Sequence, residues 1–280
     1  MSVYALVSTL PSPSSGTLEL GPVNLNAYGL MIALGVIVAV RITGRRLERT
    51  GTGTRDDIAS VAMWAVPAGV VGARLYHVAT SWDRFADRPG DIVKIWKGGL
   101  GIPGGIALGV VVGLWATRRR GLSTAAMLTA AAPALPVAQA IGRWGNWFNQ
   151  ELFGRPTDLP WALEVSAAKA SGAGYPEGTT FHPTFLYESL WNLALAAVLI
   201  AVERRVTLRP GRLFAVYVLG YGIGRFWVES LRIDTASEWA GMRVNQWMAL
   251  VISAGAVAFL AADRRPRTVE TATDEDHDPT

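Results

Sequence analysis

The chain contains no cysteine. Disulfides, thiolate metal sites and a thiol nucleophile of the protein's own are therefore excluded together. Histidine is nearly as scarce. The three, His77, His182 and His277, are too scattered to form a metal-ligand set, and no cofactor is expected. Charge is sparse: 17% of residues are Asp, Glu, Lys or Arg, where a soluble domain usually carries about 25%. No glycine-rich loop ends in Lys-Ser/Thr, so a nucleotide-phosphate cradle is missing. No Gly-x-Ser-x-Gly elbow supports a serine hydrolase. No internal repeat is evident, which counts against an inverted-repeat transporter. No basic tract with interleaved aromatics lies outside short turnarounds, so nucleic acid is not an expected partner.

What is present is apolar and blocked. Half of the residues are hydrophobic, and they gather into runs at 26–42, 58–79, 100–117, 124–141, 184–202, 213–228 and 246–262. Each run is roughly 16–22 residues, near the ~20 needed to cross the hydrocarbon core. The pattern predicts an all-α, polytopic membrane protein of about seven helices, one transmembrane unit over 25–262. Arginines fill alternate turnarounds: Arg41, Arg45, Arg46, Arg49 and Arg55; then Arg118, Arg119 and Arg120; then Arg204, Arg205, Arg209 and Arg212; finally Arg264, Arg265 and Arg267. Basic turnarounds mark the cytoplasmic side. The N-terminus is then outside and the C-terminus inside, which an odd number of spans requires. Residues 1–24 lack a basic start and a sustained apolar core, so they read as an outer segment and not as a cleaved signal peptide. The polar, acidic tail over 263–280 is expected to be disordered in the cytoplasm.

Residues 142–154 read Gly-Arg-Trp-Gly-Asn-Trp-Phe-Asn-Gln-Glu-Leu-Phe-Gly. They place Arg143, Asn146, Asn149, Glu151 and Gly154 where an apolar run gives out. Polar groups at membrane depth are costly and usually face a cavity or a substrate. The alternation of spans brings other polar groups to the same outer leaflet. Arg225 and Glu229 are four apart and share a helix face, with Arg232 three further on. His182 and Glu188 open the fifth span, Arg74 and His77 close the second, and Tyr28 starts the first. Some of these have plainer readings. Tyr28, Trp144 and Trp147 suit an aromatic belt, Arg232 suits an interfacial snorkeller, His77 suits a hydrogen-bonded structural residue, and Glu229 suits a neutraliser of Arg225. Residues 98–105 hold five glycines and Pro103. That composition is expected to begin a helix badly, and its free N–H groups could cradle an anion; a tight interhelical loop is the alternative.

Arginines gathered at the outer headgroup level suit an anionic phospholipid, because guanidinium binds phosphate in a fork and stays charged. These residues also carry a resemblance. The run 142–154 resembles the signature of the bacterial prolipoprotein diacylglyceryl transferases, Gly-Arg-x-Gly-Asn-Phe-x-Asn-x-Glu-x-x-Gly, with Trp147 in place of Phe. Four further stretches are similar in the same order: 26–31, 98–105, 182–188, and 220–226 through Glu229. The resemblance spans about residues 20–262.

The resemblance implies a transfer at the outer leaflet of the bacterial cytoplasmic membrane. The donor would be phosphatidylglycerol, and the acceptor the lipobox cysteine of a preprolipoprotein still bearing its signal peptide. The product would be a diacylglyceryl thioether, with glycerol phosphate released. The substrate supplies the sulfur, which agrees with a cysteine-free chain. By match to the family, Arg143 and Arg225 are the leading catalytic pair. They would bind the donor phosphate, stabilise the leaving group and lower the pKa of the acceptor thiol. Asn146 and Glu151 match positions tied to activity and would orient the arginines and headgroup. Gly154 would permit close backbone approach. Tyr28, Gly104, Gly105, Asn149, His182, Glu188, Glu229 and Arg232 complete the substrate-binding candidates. Many family members carry a histidine just before the pair matching Gly104 and Gly105, often proposed as the base; here that residue is Pro103. His182, Glu151 or the arginine field would have to replace it.

Residues 152–181 are too polar to span and read as a small outer head, a guide for the acceptor peptide or a passive loop. Two competing readings remain at this level. A lipid or anion transporter would need matching polar groups in the cytoplasmic half, and the cytoplasmic arginines sit in turnarounds instead. A non-catalytic signal-peptide receptor would explain a cavity but not the phosphate-matched arginines.

Overall fold

The computed structural model describes residues 9–20, 23–95 and 98–262. The acidic tail over 263–280 and the start of the N-terminal segment lie outside the described residues. A short hairpin of β1 (Thr17–Leu20) and β2 (Val23–Asn26) leads into the helices. These are α1 (Ala27–Arg49), α2 (Arg55–Thr80), α3 (Ile102–Arg119), α4 (Thr124–Ala131), α5 (Ala134–Asn149), α6 (Ala167–Gly172), α7 (Thr184–Arg205), α8 (Arg212–Glu229) and α9 (Val244–Ala262). Between α5 and α7, β3 (Leu163–Glu164) pairs antiparallel with β4 (Thr180–Phe181). A final hairpin, β5 (Glu238–Trp239) and β6 (Met242–Arg243), precedes α9.

α1, α2, α7 and α9 are long and apolar enough to cross a membrane, and α4 with α5 makes a fifth crossing if the bent pair is one span. The helices outrun the apolar runs because arginines continue them. α1 extends through Arg41, Arg45, Arg46 and Arg49, cations that the carbonyl end of a helix favours. α3 ends in Arg118 and Arg119, and α8 carries Arg212, Arg225 and Glu229. These charges make both helices weaker candidates by composition.

The expected span over 124–141 is two helices meeting at 48°. Pro133 stands at the junction, where it has no N–H to donate and its ring disrupts the preceding turn. The carbonyls freed at the end of α4 need donors. Arg46 supplies them, with Nε on Ala130 O at 2.9 Å and Nη2 on Thr129 O at 3.4 Å. The same guanidinium pairs with Glu203 on α7 at 2.6 Å, so one side chain ties three helices at the bend.

Large apolar side chains are exposed along the helices while several polar ones are buried. α7 buries Glu188, Ser189 and Asn192, and turns Leu190, Leu193 and Val198 outward. Ile37, Met63, Val111 and Val251 are likewise exposed on their helices. Apolar faces outward and polar groups inward suit a hydrocarbon solvent, and the chain is a multi-pass membrane protein.

The segment 98–105 departs from expectation in two ways. First, α3 begins inside it, at Ile102. Pro103 sits in the first helical turn, where an N–H has no intrahelical partner anyway. Second, carbonyls of the segment and of the turn before it are taken up by an arginine, which the composition does not show. Arg74 on α2 donates to the carbonyls of Asp91 at 2.6 Å, Ile92 at 2.8 Å, Gly98 at 2.6 Å and Gly99 at 2.9 Å. The glycines after it serve helix packing. A Cβ on Gly104 would collide with the carbonyl oxygen of Gly72, and one on Gly105 would press within 3.2 Å of Ala73 Cβ. Small residues let two membrane helices approach to backbone contact. Gly104→Leu is expected to force α2 and α3 apart and lower stability by about 1–3 kcal/mol; a detergent thermal-unfolding midpoint below wild type checks this.

Residues 152–181 form a small packed unit. Phe153, Leu163, Ala170, Phe181 and Phe185 share an apolar cluster that Leu10 and Trp147 flank. Leu10 also bridges to Leu163 in parallel, so the N-terminal segment docks on this unit.

Candidate active site

The site is built where α5, α7 and α8 converge. Asn146 lies within α5, not past its end, and so does Arg143; the helix runs on to Asn149 and stops at Gln150, whose φ of 49° is left-handed. One helical turn separates Arg143 from Asn146, and Arg143 Nη1 donates to Asn146 Oδ1 at 3.4 Å. Asn146 Nδ2 then donates to Glu151 Oε1 at 2.9 Å, and the Glu151 N–H returns to Asn146 O at 3.1 Å. The turn after Gln150 thus folds Glu151 back onto the helix end.

Glu188 on α7 joins the two leading arginines. Its Oε2 is ion-paired with Arg143 Nε, and its Oε1 lies 3.6 Å from Arg225 Nη1. α7 is fixed to α5 by Ser189 Oγ, which donates to Ala140 O at 3.1 Å. Arg225 reaches Glu229 Oε2 at 2.7 Å, the i,i+4 contact expected from the spacing. Glu229 is wholly buried. It also faces Arg232 at 3.5 Å and Arg243 at 2.9 Å, and accepts from Asn245 Nδ2 at 3.0 Å. Arg232 forks onto Asp234 with bonds of 2.7 and 2.8 Å. Burial pushes the Asp234 carboxyl up, but hydrogen bonding and charge from Arg232, aided by Arg243, outweigh it and hold the group below the usual carboxylate range.

The result is one chain of alternating charge, Arg143–Glu188–Arg225–Glu229–Arg232–Asp234–Arg243. Arg143 and Arg225 keep 20% and 16% of their side-chain surface exposed, against 6% and 10% for Arg232 and Arg243. The first two are therefore the more exposed arginines of the chain. Sequence reasoning missed Arg243, Asp234 and Asn245. One signal was available: by the arginine alternation, Arg243 precedes the last span on the outer side, where basic residues are not expected.

Other residues stand around this chain. The Tyr28 ring covers Gly145, where a Cβ would come within 2.7 Å of Cδ2. Asn26 caps α1 by accepting from Tyr28 N at 2.8 Å, which fixes that tyrosine in the first turn. Asn149 and Glu151 line a polar cavity of about 350 Å³ with Asn26, Ser166 and Lys169. Gly154 is squeezed between His182 and the chain after α8: its N–H donates to His182 O at 2.9 Å, it bridges to Arg232, and a Cβ would lie 2.8 Å from His182 Cβ. Gly104 and Gly105 lie in the α2–α3 seam. Among the described residues, no group of three His, Asp or Glu could hold a metal ion.

His182 has different company. Its Nδ1 is 3.0 Å from Tyr187 Oη, which also accepts from Trp161 Nε1 at 2.9 Å. Burial and then the Arg155 charge lower its pKa below 6.5. A depressed histidine stays neutral when folded, while the unfolded chain takes up the proton. Its stabilisation is therefore present above the unfolded value and lost as pH falls towards the folded one. The melting temperature is expected to drop as pH falls below about 6.5, and His182→Gln should remove that component; thermal scans across pH check it.

A sequence model of the prolipoprotein diacylglyceryl transferase family matches residues 15–262. The chain belongs to this family. A phosphatidylglycerol–prolipoprotein diacylglyceryl transferase of Frankia alni is 53% identical over 263 residues, covering 92% of this chain and 68% of that protein. One from Frankia casuarinae is 51% identical over 266 residues, covering 93% and 64%. One from Streptomyces coelicolor is 51% identical over 263 residues, covering 92% and 82%. The chain thus spans between 64% and 82% of the length of these relatives. Three of the five motifs singled out from the sequence lie along the ionic chain: Arg143 to Glu151 on α5 and its cap, Glu188 on α7, and Arg225 to Arg232 at the end of α8.

Proposed function

We propose that this protein transfers a diacylglyceryl group from phosphatidylglycerol to the lipobox cysteine of a preprolipoprotein. The observation that carries the reading is the pair of partly open guanidinia, Arg143 and Arg225, held together by Glu188. The donor phosphodiester has one negative charge. In the transfer, the cysteine sulfur forms a C–S bond to the glyceryl carbon, the C–O bond to phosphate breaks, and glycerol phosphate leaves with the bonding pair. The thiol proton goes to a base or to solvent. Charge on the phosphate grows along this path, so fixed guanidinia stabilise the transition state more than the bound donor. Glu151 is the better-placed candidate for the proton. It joins Arg143 through a single residue, Asn146, whereas His182 is turned to Tyr187.

The topology that goes with this reading counts α1, α2, α3, the bent pair α4 and α5, α7, α8 and α9 as seven spans. The N-terminus is outside and the C-terminus cytoplasmic. The arginine alternation supports it, as does the packing of α3 along α2 and of α8 against α7 and α9. The unit over 152–181 is then the outer head, and the site opens toward the outer leaflet of the bacterial cytoplasmic membrane. The test is direct. Purified protein is incubated with phosphatidylglycerol and a lipobox peptide, and the peptide is weighed. A diacylglyceryl thioether mass shift is expected; peptide binding or lipid transport without that shift would replace the transferase reading.

A further inference from the structure

We propose that Arg243 is a positioning residue for the phosphate site: it tips the charge balance there and holds Glu229 so that Arg225 stays available to the donor. The proposal rests on the transferase reading above. Two observations carry it.

The first is a count. Among the described residues, the ion-paired chain sets four guanidinia (Arg143, Arg225, Arg232 and Arg243) against three carboxylates (Glu188, Glu229 and Asp234). Its balance is one positive charge, matched to a singly charged phosphodiester. Glu151 lies two hydrogen bonds beyond, through Asn146, and Lys169 lines the same cavity, so the wider balance is unchanged. Without Arg243 the paired chain is neutral, and so is the wider site. A neutral site lacks the net charge that draws the donor and steadies a leaving group whose charge is rising.

The second is how Glu229 is divided. Its Oε1 is taken by α9 and its approach, 2.9 Å from Arg243 Nε and 3.0 Å from Asn245 Nδ2. Its Oε2 is left for α8, 2.7 Å from Arg225 and 3.5 Å from Arg232. Arg225 therefore touches Glu229 through one oxygen. A bidentate fork, the stronger geometry, is blocked, and part of the guanidinium edge stays free for phosphate. Arg243 does not serve a ligand itself. Its Nη1 donates to Arg232 O at 2.8 Å, and its Nη2 donates to Asp234 O at 2.9 Å and Asp234 Oδ2 at 3.0 Å. These bonds hold the group beside Glu229 at the start of α9, in an ion-pair contact where Nε makes no hydrogen bond.

The experiment uses the full chain and measures KM for phosphatidylglycerol and kcat with saturating lipobox peptide. Phosphatidylglycerol binding by native mass spectrometry is read in parallel. Arg243→Met is expected to raise KM about tenfold, the order that loss of one nearby charge produces, with kcat little changed. Arg243→Lys keeps the charge and should stay near wild type in binding. In a double-mutant cycle, Glu229→Gln with Arg243→Met should bind donor better than the two single losses predict, because the charge imbalance is removed. Unchanged donor binding in Arg243→Met overturns the proposal. So does an additive cycle, or a loss of binding in Arg243→Lys equal to that of the methionine. A fall in melting temperature alone, with KM unmoved, would mean a purely structural arginine. If the wild type binds donor but never transfers it, the transferase reading fails while the binding arm still decides the role of Arg243.

Discussion

Arg143→Ala is expected to lower diacylglyceryl transfer by about a thousandfold, the upper range for removing one preorganised donor from a developing anion. Two contacts support so large an effect. The guanidinium is held by Glu188 through Nε and by Asn146 through Nη1, so its remaining N–H groups are fixed before the donor arrives. Its partial exposure leaves them a ligand to meet. Arg143→Lys keeps the charge without the planar fork and should recover only a fraction. The measurement is thioether formation on a lipobox peptide, with a melting curve to confirm folding. Full activity in Arg143→Ala would sink the assignment.

Loss of Glu188 should be the next most damaging change. This carboxylate is buried and lies between Arg143 and Arg225. Without it, two guanidinia share a low-dielectric site with no anion between them. Breaking a buried pair in this way costs about 3–5 kcal/mol. Glu188→Ala is therefore expected to lower the melting temperature and to cut transfer about a hundredfold through misplacement of both arginines. Glu188→Gln preserves shape but not charge and should retain most of the defect. Near-normal transfer and stability in the glutamine variant would show that shape alone positions the arginines. Combining Arg143→Ala with Glu188→Ala should cost less than the sum, since the second change removes a carboxylate that the first has already freed in part.

Much of this architecture was legible because a bilayer imposes simple demands. Apolar runs located the long helices. The runs understated helix lengths, since helices continue past them on residues such as Arg45 and Arg49 that an apolar count discards. The break in the fourth run was written in Pro133, but its consequence depends on Arg46 crossing from α1 to take up the freed carbonyls, which no local pattern shows. At the site, Arg143, Asn146 and Glu151 were readable from their spacing and so were Arg225 and Glu229, because helix geometry or a single turn brings them together. Asp234 and Arg243 were not. Their partners are set by the chain turning back after α8, and in one dimension they resemble ordinary loop charges. The glycines of 98–105 were noticed for the right reason, an unusual backbone, but their use depended on two things the segment does not contain: Arg74 and Gly72.

The Arg74 cage has a property that the ionic chain lacks. All four of its acceptors are peptide carbonyls, and a carbonyl has no proton to gain across the range in which proteins live. Acid that discharges a carboxylate weakens the links of the ionic chain one by one, whereas the cage keeps its full complement of partners. The end of α2 and the approach to α3 are accordingly joined by a fastening that does not titrate.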